Sequence, residues 1–390
     1  MLLQLEVFVL VTSYSPSKLH NPLLLSYILI LTGRKTSCDY FKSMLKVARI
    51  AQDFEESPHS AWEDFVRLKS WSDRETVVES ISRNSSGWEA YLHSYRKAMK
   101  PYIRDDFYDI LESKDKMEFW KNKYELDGEI NVEFLKYECL AGLSKYADTV
   151  EPTGKDRYNS RRPTYPPGEV LNFKEHDPRK HITTQVNMTA VPCNRMHEND
   201  AVQWIYHSPH LRLFLAHVME CQRLYPYLSD LGLAINIMRP AESAQTALGF
   251  HFDSIDSSRS KNGEGTQPKG ATGVIGIQDC DEGGERIVFP TVDRSNVESV
   301  DMILKNYDPL YPEKVIGLLK PSVFHQATRG VLYLFNGGNV LHGVSSVRKG
   351  SRIAAVFMFQ EERPTETKES EVSSNFFYGK DVIDTGRCKL

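Results

Sequence analysis

From about Asp39 to Tyr146 apolar residues recur at three- and four-residue spacing, as in "SAWEDFVRLKSW", "GWEAYLHSYRKAM", "YIRDDFYDILES" and "EFLKYECLAGLSKY". That period predicts amphipathic helices. Pro58, Pro101 and the stretch Asn84–Gly87 separate them. Such a layer supports something else, because nothing in it has catalytic spacing. Residues 148–182, with "EPTGKDRYNSRRPTYPPGEV", are rich in Pro, Gly and charge and read as a linker or a long surface loop. Beyond them the period falls towards two. "LGLAINIM", "TGVIGIQD", "RIVFP", "GVLYLFN" and "RIAAVFMFQ" are strand-like, with β-branched and aromatic enrichment and turn residues between them. "AVQWIYHSPHLRLFLAHVMECQRL" predicts one amphipathic helix, interrupted or begun near Pro209. Pro290 to Gln326 reads as an insertion with a short helix near "NVESVDMILKNY". Short strands with turn signals predict an antiparallel sandwich or barrel, in an α+β chain.

The N-terminus does not fit this pattern. "LLQLEVFVLV" and "PLLLSYILIL" are apolar runs split by "TSYSPSKLHN". Each is shorter than the roughly 20 residues a bilayer span requires. Glu6 lies inside the first run and no basic residue precedes it, so a standard secretory signal fits poorly. Residues 1–43 are therefore expected to lie outside the fold, as a targeting leader, a membrane-surface anchor or an extension upstream of a start at Met44. Membrane association rests on those runs alone. The expected organisation is then a helical region over 44–147, a linker over 148–182, the strand-rich domain over 183–379 and a tail over 380–390.

Composition narrows the function classes. Hydrophobic content of 41% and charged content of 26% describe a chain able to bury a core. A net charge of −4 provides no basic field, so nucleic acid is not an expected partner. Cys38, Cys139, Cys193, Cys221, Cys280 and Cys388 show no C-x-x-C spacing. They read as scattered reduced thiols and point to an intracellular, cytoplasmic setting, unless residues 1–43 target the chain to an organelle.

The chemistry starts at "LGFHFDSID", Leu248 to Asp256. On a strand, Leu248, Phe250 and Phe252 share one face, and His251 and Asp253 share the other. Such a pair supplies two adjacent metal ligands or a plain hydrogen bond, and alone decides neither. A third ligand is offered by His342, just after the strand "GVLYLFN". Ten residues later Arg352 opens "RIAAVFMFQ". His-x-Asp, a distant His and an Arg ten residues on have the order of a two-His-one-carboxylate triad for non-haem Fe(II). Three coordination positions stay open, two for a chelating 2-oxo acid and one for O2. Arg352 is placed to pair with the distal carboxylate of 2-oxoglutarate.

With those residues in place, the region from about Thr183 to Gly379 resembles the 2-oxoglutarate/Fe(II) dioxygenase superfamily, whose fold is a double-stranded β-helix, or jelly roll. "WIYHSPHL", "INIMRP", "GFHFD", "GG…FP", "LHGVSSV…GSRIAAVF", "ERP" and "FYG" together resemble the branch of free-amino-acid hydroxylases and radical halogenases, with kainoid synthases nearby. The resemblance implies Fe(II), 2-oxoglutarate and O2 as cofactors, with ascorbate as a reductant. It implies C–H oxidation of an amino acid or amino-acid-derived small molecule in secondary metabolism, by hydroxylation, desaturation or cyclisation. Halogenases of the branch replace the carboxylate with Gly or Ala. Asp253 is present here, so halogenation is not expected. Where plant-type members have Arg-x-Ser, this chain has Arg352-Ile353-Ala354, so a helper such as Tyr333 or Asn336 is needed. The competing readings are a protein-modifying hydroxylase, for which the helical region docks a polypeptide, and a non-catalytic scaffold.

Other polar residues keep two readings. Arg239 faces either a substrate carboxylate or Glu242. Asn187 and Thr189 line the pocket or pack a loop. Trp204 belongs to the core, Tyr206 is a substrate-side candidate beside it, and His207 caps a helix or lies at the surface. Glu285 serves its turn. Phe376, Phe377 and Tyr378 fold back as a lid or dock as a tail, with Phe377 the substrate-side candidate.

Overall fold

The structure, a computed structural model, describes residues 38–361 apart from 69, 154, 157–159, 166–169, 171–172, 198, 228–231, 241–246, 254–269, 293 and 325–328. Residues 1–37 of the expected leader, Phe376, Phe377, Tyr378 and the tail 380–390 lie outside the described residues. Among those described, no helix is long and apolar enough to cross a membrane.

The chain divides into two compact units, one ending at Ala98 and the other beginning at Met99. The first is helical: α1 (Cys38–Glu56), α2 (Pro58–Val66), α3 (Trp71–Ile81) and α4 (Ser85–Met99). Helix α1 runs through Met44, the residue at which the fold was expected to open. Pro58 sits in the first turn of α2, where a missing N–H costs nothing. The Ser70 hydroxyl accepts from the Asp73 N–H at 3.1 Å and caps α3. Edge-to-face rings of Phe54, Phe65, Tyr91 and Tyr95 fill the interior, with centroids 5.4–5.7 Å apart between consecutive Phe54–Tyr91, Phe65–Tyr91 and Tyr91–Tyr95 pairs. Arg74 is fully buried and donates to the Val66 and Leu68 carbonyls at 2.8 Å each, so its charge is hydrogen-bonded.

The second unit opens with α5 (Asp105–Leu111) and α6 (Lys114–Asp127), then β1 (Glu129–Glu133) and α7 (Tyr137–Val150). Strand β1 interrupts the region expected to be wholly helical. Ile130 and Val132 are buried and alternate with Glu129, Asn131 and Glu133, a period of two over five residues. The same apolar residues, continued by Phe134 and Leu135, also satisfy a helical spacing, which hides the strand. The linker region likewise contains β2 (Lys155–Asp156) and β3 (Ser160–Pro163).

Thereafter come β4 (Thr183–Val186), β5 (Thr189–Pro192), α8 (Ala201–Tyr206), α9 (Pro209–Val218), β6 (Tyr225–Pro226), β7 (Leu233–Met238), β8 (Leu248–His251) and β9 (Gly270–Gln278). They are followed by β10 (Glu282–Gly283), β11 (Arg286–Phe289), α10 (Val297–Asn306), β12 (Ser322–Phe324), β13 (Val331–Phe335), β14 (Leu341–Val344), β15 (Val347–Lys349) and β16 (Arg352–Gln360). The helix expected across Pro209 is broken there, and the Ser208 hydroxyl caps the second half by accepting from Leu211 N–H at 3.4 Å.

One sheet has the order β1-β13-β9-β16-β7-β5-β2 and the other β12-β11-β14-β8-β4-β3. Every pairing within them is antiparallel. Taken in chain order, β7, β9, β13 and β16 belong to the first sheet, and β8, β11, β12 and β14 to the second. This alternation, with inner orders β13-β9-β16-β7 and β12-β11-β14-β8, is a double-stranded β-helix, a jelly roll. Phe250, Phe252, Ile287, Phe289, Val300, Ile303 and Leu341 form one cluster that closes the second sheet against α10. Cys139, Cys221 and Cys280 are free thiols. Cys193 is disulfide-bonded, a departure from wholly reduced cysteines. A disulfide joins residues distant along the chain, which local spacing does not register.

Candidate metal centre and its cavity

β8 and β14 are antiparallel neighbours, and their register sets His251 directly opposite His342. The imidazole centroids are 4.3 Å apart. Asp253 lies just past β8, anchored where its N–H donates to the Gly337 carbonyl at 2.9 Å. Its Oδ1 is 3.4 Å from His251 Nε2 and 3.6 Å from His342 Nε2. One ligand atom from each of the three residues falls within 4.8 Å of the others.

The tautomers follow from the partners. His251 Nδ1 meets the Gly249 carbonyl and His342 Nδ1 the Val340 carbonyl, each at 2.9 Å. A carbonyl only accepts, so both Nδ1 atoms carry the proton and donate. In the neutral rings, both Nε2 lone pairs then face Asp253, as in metal-ligating histidines held by a backbone acceptor. Thr272 Oγ1 donates to Asp253 Oδ2 at 2.5 Å, which turns Oδ1 towards the imidazoles. Burial pushes the Asp253 carboxyl up, and only imidazoles in the charged form, donating from Nε2, outweigh burial and hold the group below the ordinary carboxylate range. Backbone packing keeps this arrangement tight. A Cβ at Gly337 would lie 1.9 Å from Asp253 Oδ2 and 2.6 Å from Thr272 Oγ1. Two imidazole nitrogens and one carboxylate with converging lone pairs are the donor set that fits a non-haem Fe(II) ion.

The same cavity is lined by Arg352, at the start of β16 and only 8% exposed. Its Nη1 contacts Met238 Sδ at 3.5 Å, and no carboxylate among the described residues pairs with it. Burial lowers its pKa from the ordinary value. A buried guanidinium with no counter-ion among the described residues, in one cavity with three metal-type ligands, has donors that suit an anion. The four residues singled out from the sequence thus share one cavity.

The other sequence candidates are placed elsewhere. Arg239 does not line the cavity: its Nε donates to Glu151 Oε1 at 3.0 Å, Nη2 bonds Glu151 Oε2, and Asp148 lies at 3.5 Å. Asn187 is buried but also off the cavity, since on this strand pair Val186, Met188 and Ala190 face inward. Tyr206 packs behind β16 against Phe357 and Phe359 and donates to the Met358 carbonyl at 2.9 Å. Trp204 and His207 are buried on the same segment. Glu285 accepts from the Ser345 hydroxyl, and Arg348 lies 3.6 Å away. Tyr333 donates its hydroxyl to Glu129, and Asn336 does not line the cavity.

One lining residue, Arg286, was not singled out from the sequence. It is 7% exposed, sits on β11 opposite Phe324 and Val344, and stacks over the rings of Tyr333 at 3.0 Å and Phe324 at 4.1 Å. The signal was present: in "RIVF" the period of two puts Arg286 on the same face as Val288, opposite His342. Arg162, Thr184, Asn236 and Thr272 also line the cavity, and an apolar patch of Val186, Met188, Leu248, Val344 and Met358, which pack with one another, completes much of the wall.

No protein-family model matches the sequence. No curated protein matches it either. Solved structures are similar at low identity. The non-haem α-ketoglutarate-dependent epimerase SnoN from nogalamycin biosynthesis is 12% identical, over 66% of this chain and 89% of its own, with a TM-score of 0.42. The carbocyclase SnoK of the same biosynthesis is 11% identical over 64% and 83%, with a TM-score of 0.38. A Pseudomonas putida prolyl-4-hydroxylase is 12% identical over 64% of this chain and all of its own, with a TM-score of 0.36. At these TM-scores the likenesses carry no argument, and the fold rests on the strand order and register given above.

Proposed function

We propose that this chain is an Fe(II)- and 2-oxoglutarate-dependent oxygenase that oxidises a C–H bond of a small molecule. The observation that carries the reading is the His251–Asp253–His342 cluster, with ligand atoms within 4.8 Å, in one cavity with the buried Arg352, which has no carboxylate partner among the described residues. His251 and His342 hold the metal through Nε2 and Asp253 through Oδ1. Arg352 takes the distal carboxylate of the 2-oxo acid and so fixes which end of it faces the metal. The bound iron supplies activation of O2, coupling conversion of 2-oxoglutarate to succinate and CO2 with oxidation of the substrate. The apolar wall of Met188, Leu248 and Met358 excludes water from the reacting carbon and presents a hydrocarbon part of the substrate to the metal.

Asp253 takes the metal position that halide would need, so the outcome is oxygenation, desaturation or ring closure rather than halogenation. An amino acid or amino-acid derivative is the substrate class we favour, from the motif resemblance in the sequence. The test is an anaerobic titration with Fe(II) and 2-oxoglutarate, followed by admission of O2 and measurement of succinate release against a panel of amino acids. The expected result is a visible charge-transfer band before O2 and substrate-stimulated succinate after it. Absence of both the band and any succinate would overturn the reading.

A further inference from the structure

We propose that Arg286 is a second guanidinium at the cosubstrate end of the cavity, and that together with Arg352 it grips the distal carboxylate of a 2-oxo dicarboxylic acid. This deepens the oxygenase reading above and rests on it.

Arg286 and Arg352 line one cavity and are 7% and 8% exposed. Neither has a carboxylate partner among the described residues. Among the described residues, Arg286 Nε and Nη2 are buried with no hydrogen-bond acceptor, and Arg352 reaches the Met238 sulfur. A desolvated guanidinium with unmet donors is costly, and two of them in one cavity repel each other as well. Burial presses Arg286 down to about 10, and the charge of Arg352 adds to that depression.

The chain brings them to the same end of the barrel. Gly284 has φ +68°, and a Cβ there would lie 3.2 Å from Arg352 Cδ, so the arginine stem runs along this turn. Two residues on, Arg286 opens β11. Its guanidinium is covered by Tyr333 and Phe324, which fix its plane by cation–π contact and leave the in-plane N–H donors as its means of binding. Carboxylates that might compete are engaged. Glu129 accepts the Tyr333 hydroxyl, and Asp253, the one acidic residue lining the cavity among the described residues, is turned to the histidines by Thr272. No carboxylate among the described residues pairs with either cation, and an incoming carboxylate has two oxygens to offer them. The consequence is selectivity: a 2-oxo acid with a distal carboxylate is retained, and a monocarboxylic 2-oxo acid is not.

The experiment uses the full chain loaded with Mn(II), which needs no O2 chemistry. Mn(II) binding is read by electron paramagnetic resonance, and binding of 2-oxoglutarate and of pyruvate by calorimetry. Arg286→Met should weaken 2-oxoglutarate by about tenfold or more, the loss expected for a charge-assisted contact. Mn(II) and pyruvate binding should stay within about twofold. Arg286→Lys should fall between the two, because it keeps charge without the planar fork. The metal-loaded Arg286→Met protein should melt no lower than the parent without 2-oxo acid, and its rise in Tm on adding 2-oxoglutarate should shrink. Equal weakening of 2-oxoglutarate and pyruvate, or no weakening of either, overturns the assignment of Arg286 while leaving the oxygenase reading in place. If Arg286→Met fails to fold, Arg286→Lys with parental 2-oxoglutarate affinity and Tm shift overturns it. Failure of the parent protein to bind Mn(II) removes the oxygenase reading itself, and this proposal with it.

Discussion

Gly337→Ala is the sharpest single perturbation of the metal centre, because it adds one methyl and touches no ligand atom chemically. The added Cβ would sit 1.9 Å from Asp253 Oδ2, 2.8 Å from Asp253 Cγ and 2.6 Å from Thr272 Oγ1. Ordinary van der Waals contact starts near 3.4 Å, so the carboxylate must retreat by roughly 1.5 Å. It cannot do so and keep both its bond from Thr272 and its 3.4 Å approach to His251 Nε2. Loss of such orientation around a metal ligand costs on the order of 10- to 100-fold in metal affinity. Gly337→Ala should therefore bind Mn(II) at least tenfold more weakly, read by electron paramagnetic resonance, with the circular dichroism of a folded protein. Gly142→Ala is the matched control. Gly142 lies in α7, its Cβ would meet nothing within 4 Å, and helix propensity favours the change by about 0.5–1 kcal/mol. Parental Mn(II) affinity in Gly337→Ala would refute the placement of Asp253 beside this glycine.

Three further outcomes follow from the same geometry. His251→Ala, Asp253→Ala and His342→Ala should each abolish 2-oxoglutarate turnover while the protein stays folded; measurable succinate from either His variant with added Fe(II) would falsify the triad. Arg352→Lys loses the planar fork and should raise the KM for 2-oxoglutarate by about 30-fold, the equivalent of ~2 kcal/mol, with a much smaller change in the KM of the oxidised substrate. Arg239→Ala breaks partly exposed pairs with Glu151 and Asp148 and should leave turnover unchanged and cost about 1 kcal/mol or less in a denaturant melt; a large fall in kcat/KM would put Arg239 back at the substrate.

The strand half of the chain is legible because each strand carries its own period. "RIAAVFMFQ" matches β16 residue for residue, and "TGVIGIQD" falls within one or two residues of β9 at either end. What is not legible is pairing. Strand β1 owes its conformation to Tyr333 and its neighbours, roughly 200 positions later, with Ile130 opposite Leu334. Local spacing in "EINVEFL" admits helix and strand equally, and only the partner decides. Arg239 shows the same limit. Its position beside the strand "INIM" made a substrate carboxylate or Glu242 its natural partners; Glu242 lies outside the described residues, and Glu151 at the end of α7 accepts from Arg239.

The candidate site divides along the same line. His251, Asp253, His342 and Arg352 are legible because their order and offsets are themselves the signal, and the barrel needs only to close for them to meet. Arg286 carries no such offset. A lone arginine at the start of "RIVFP" looks like a strand-edge cation with its head in water, the ordinary fate of arginine on a strand. Its meaning appears only when β12 and β13 fold over it, placing Phe324 and Tyr333 on its guanidinium and removing the solvent that would have satisfied it. Asp253 is the opposite case, a buried carboxylate with Oδ2 held by Thr272 and Oδ1 turned towards the two imidazoles. Among the described residues, the cavity lined by Arg286 and Arg352 has one acidic residue, Asp253, which is turned towards the histidines. On the proposed reading, a metal would answer the carboxylate and imidazoles, and a dianionic cosubstrate the two guanidinium groups.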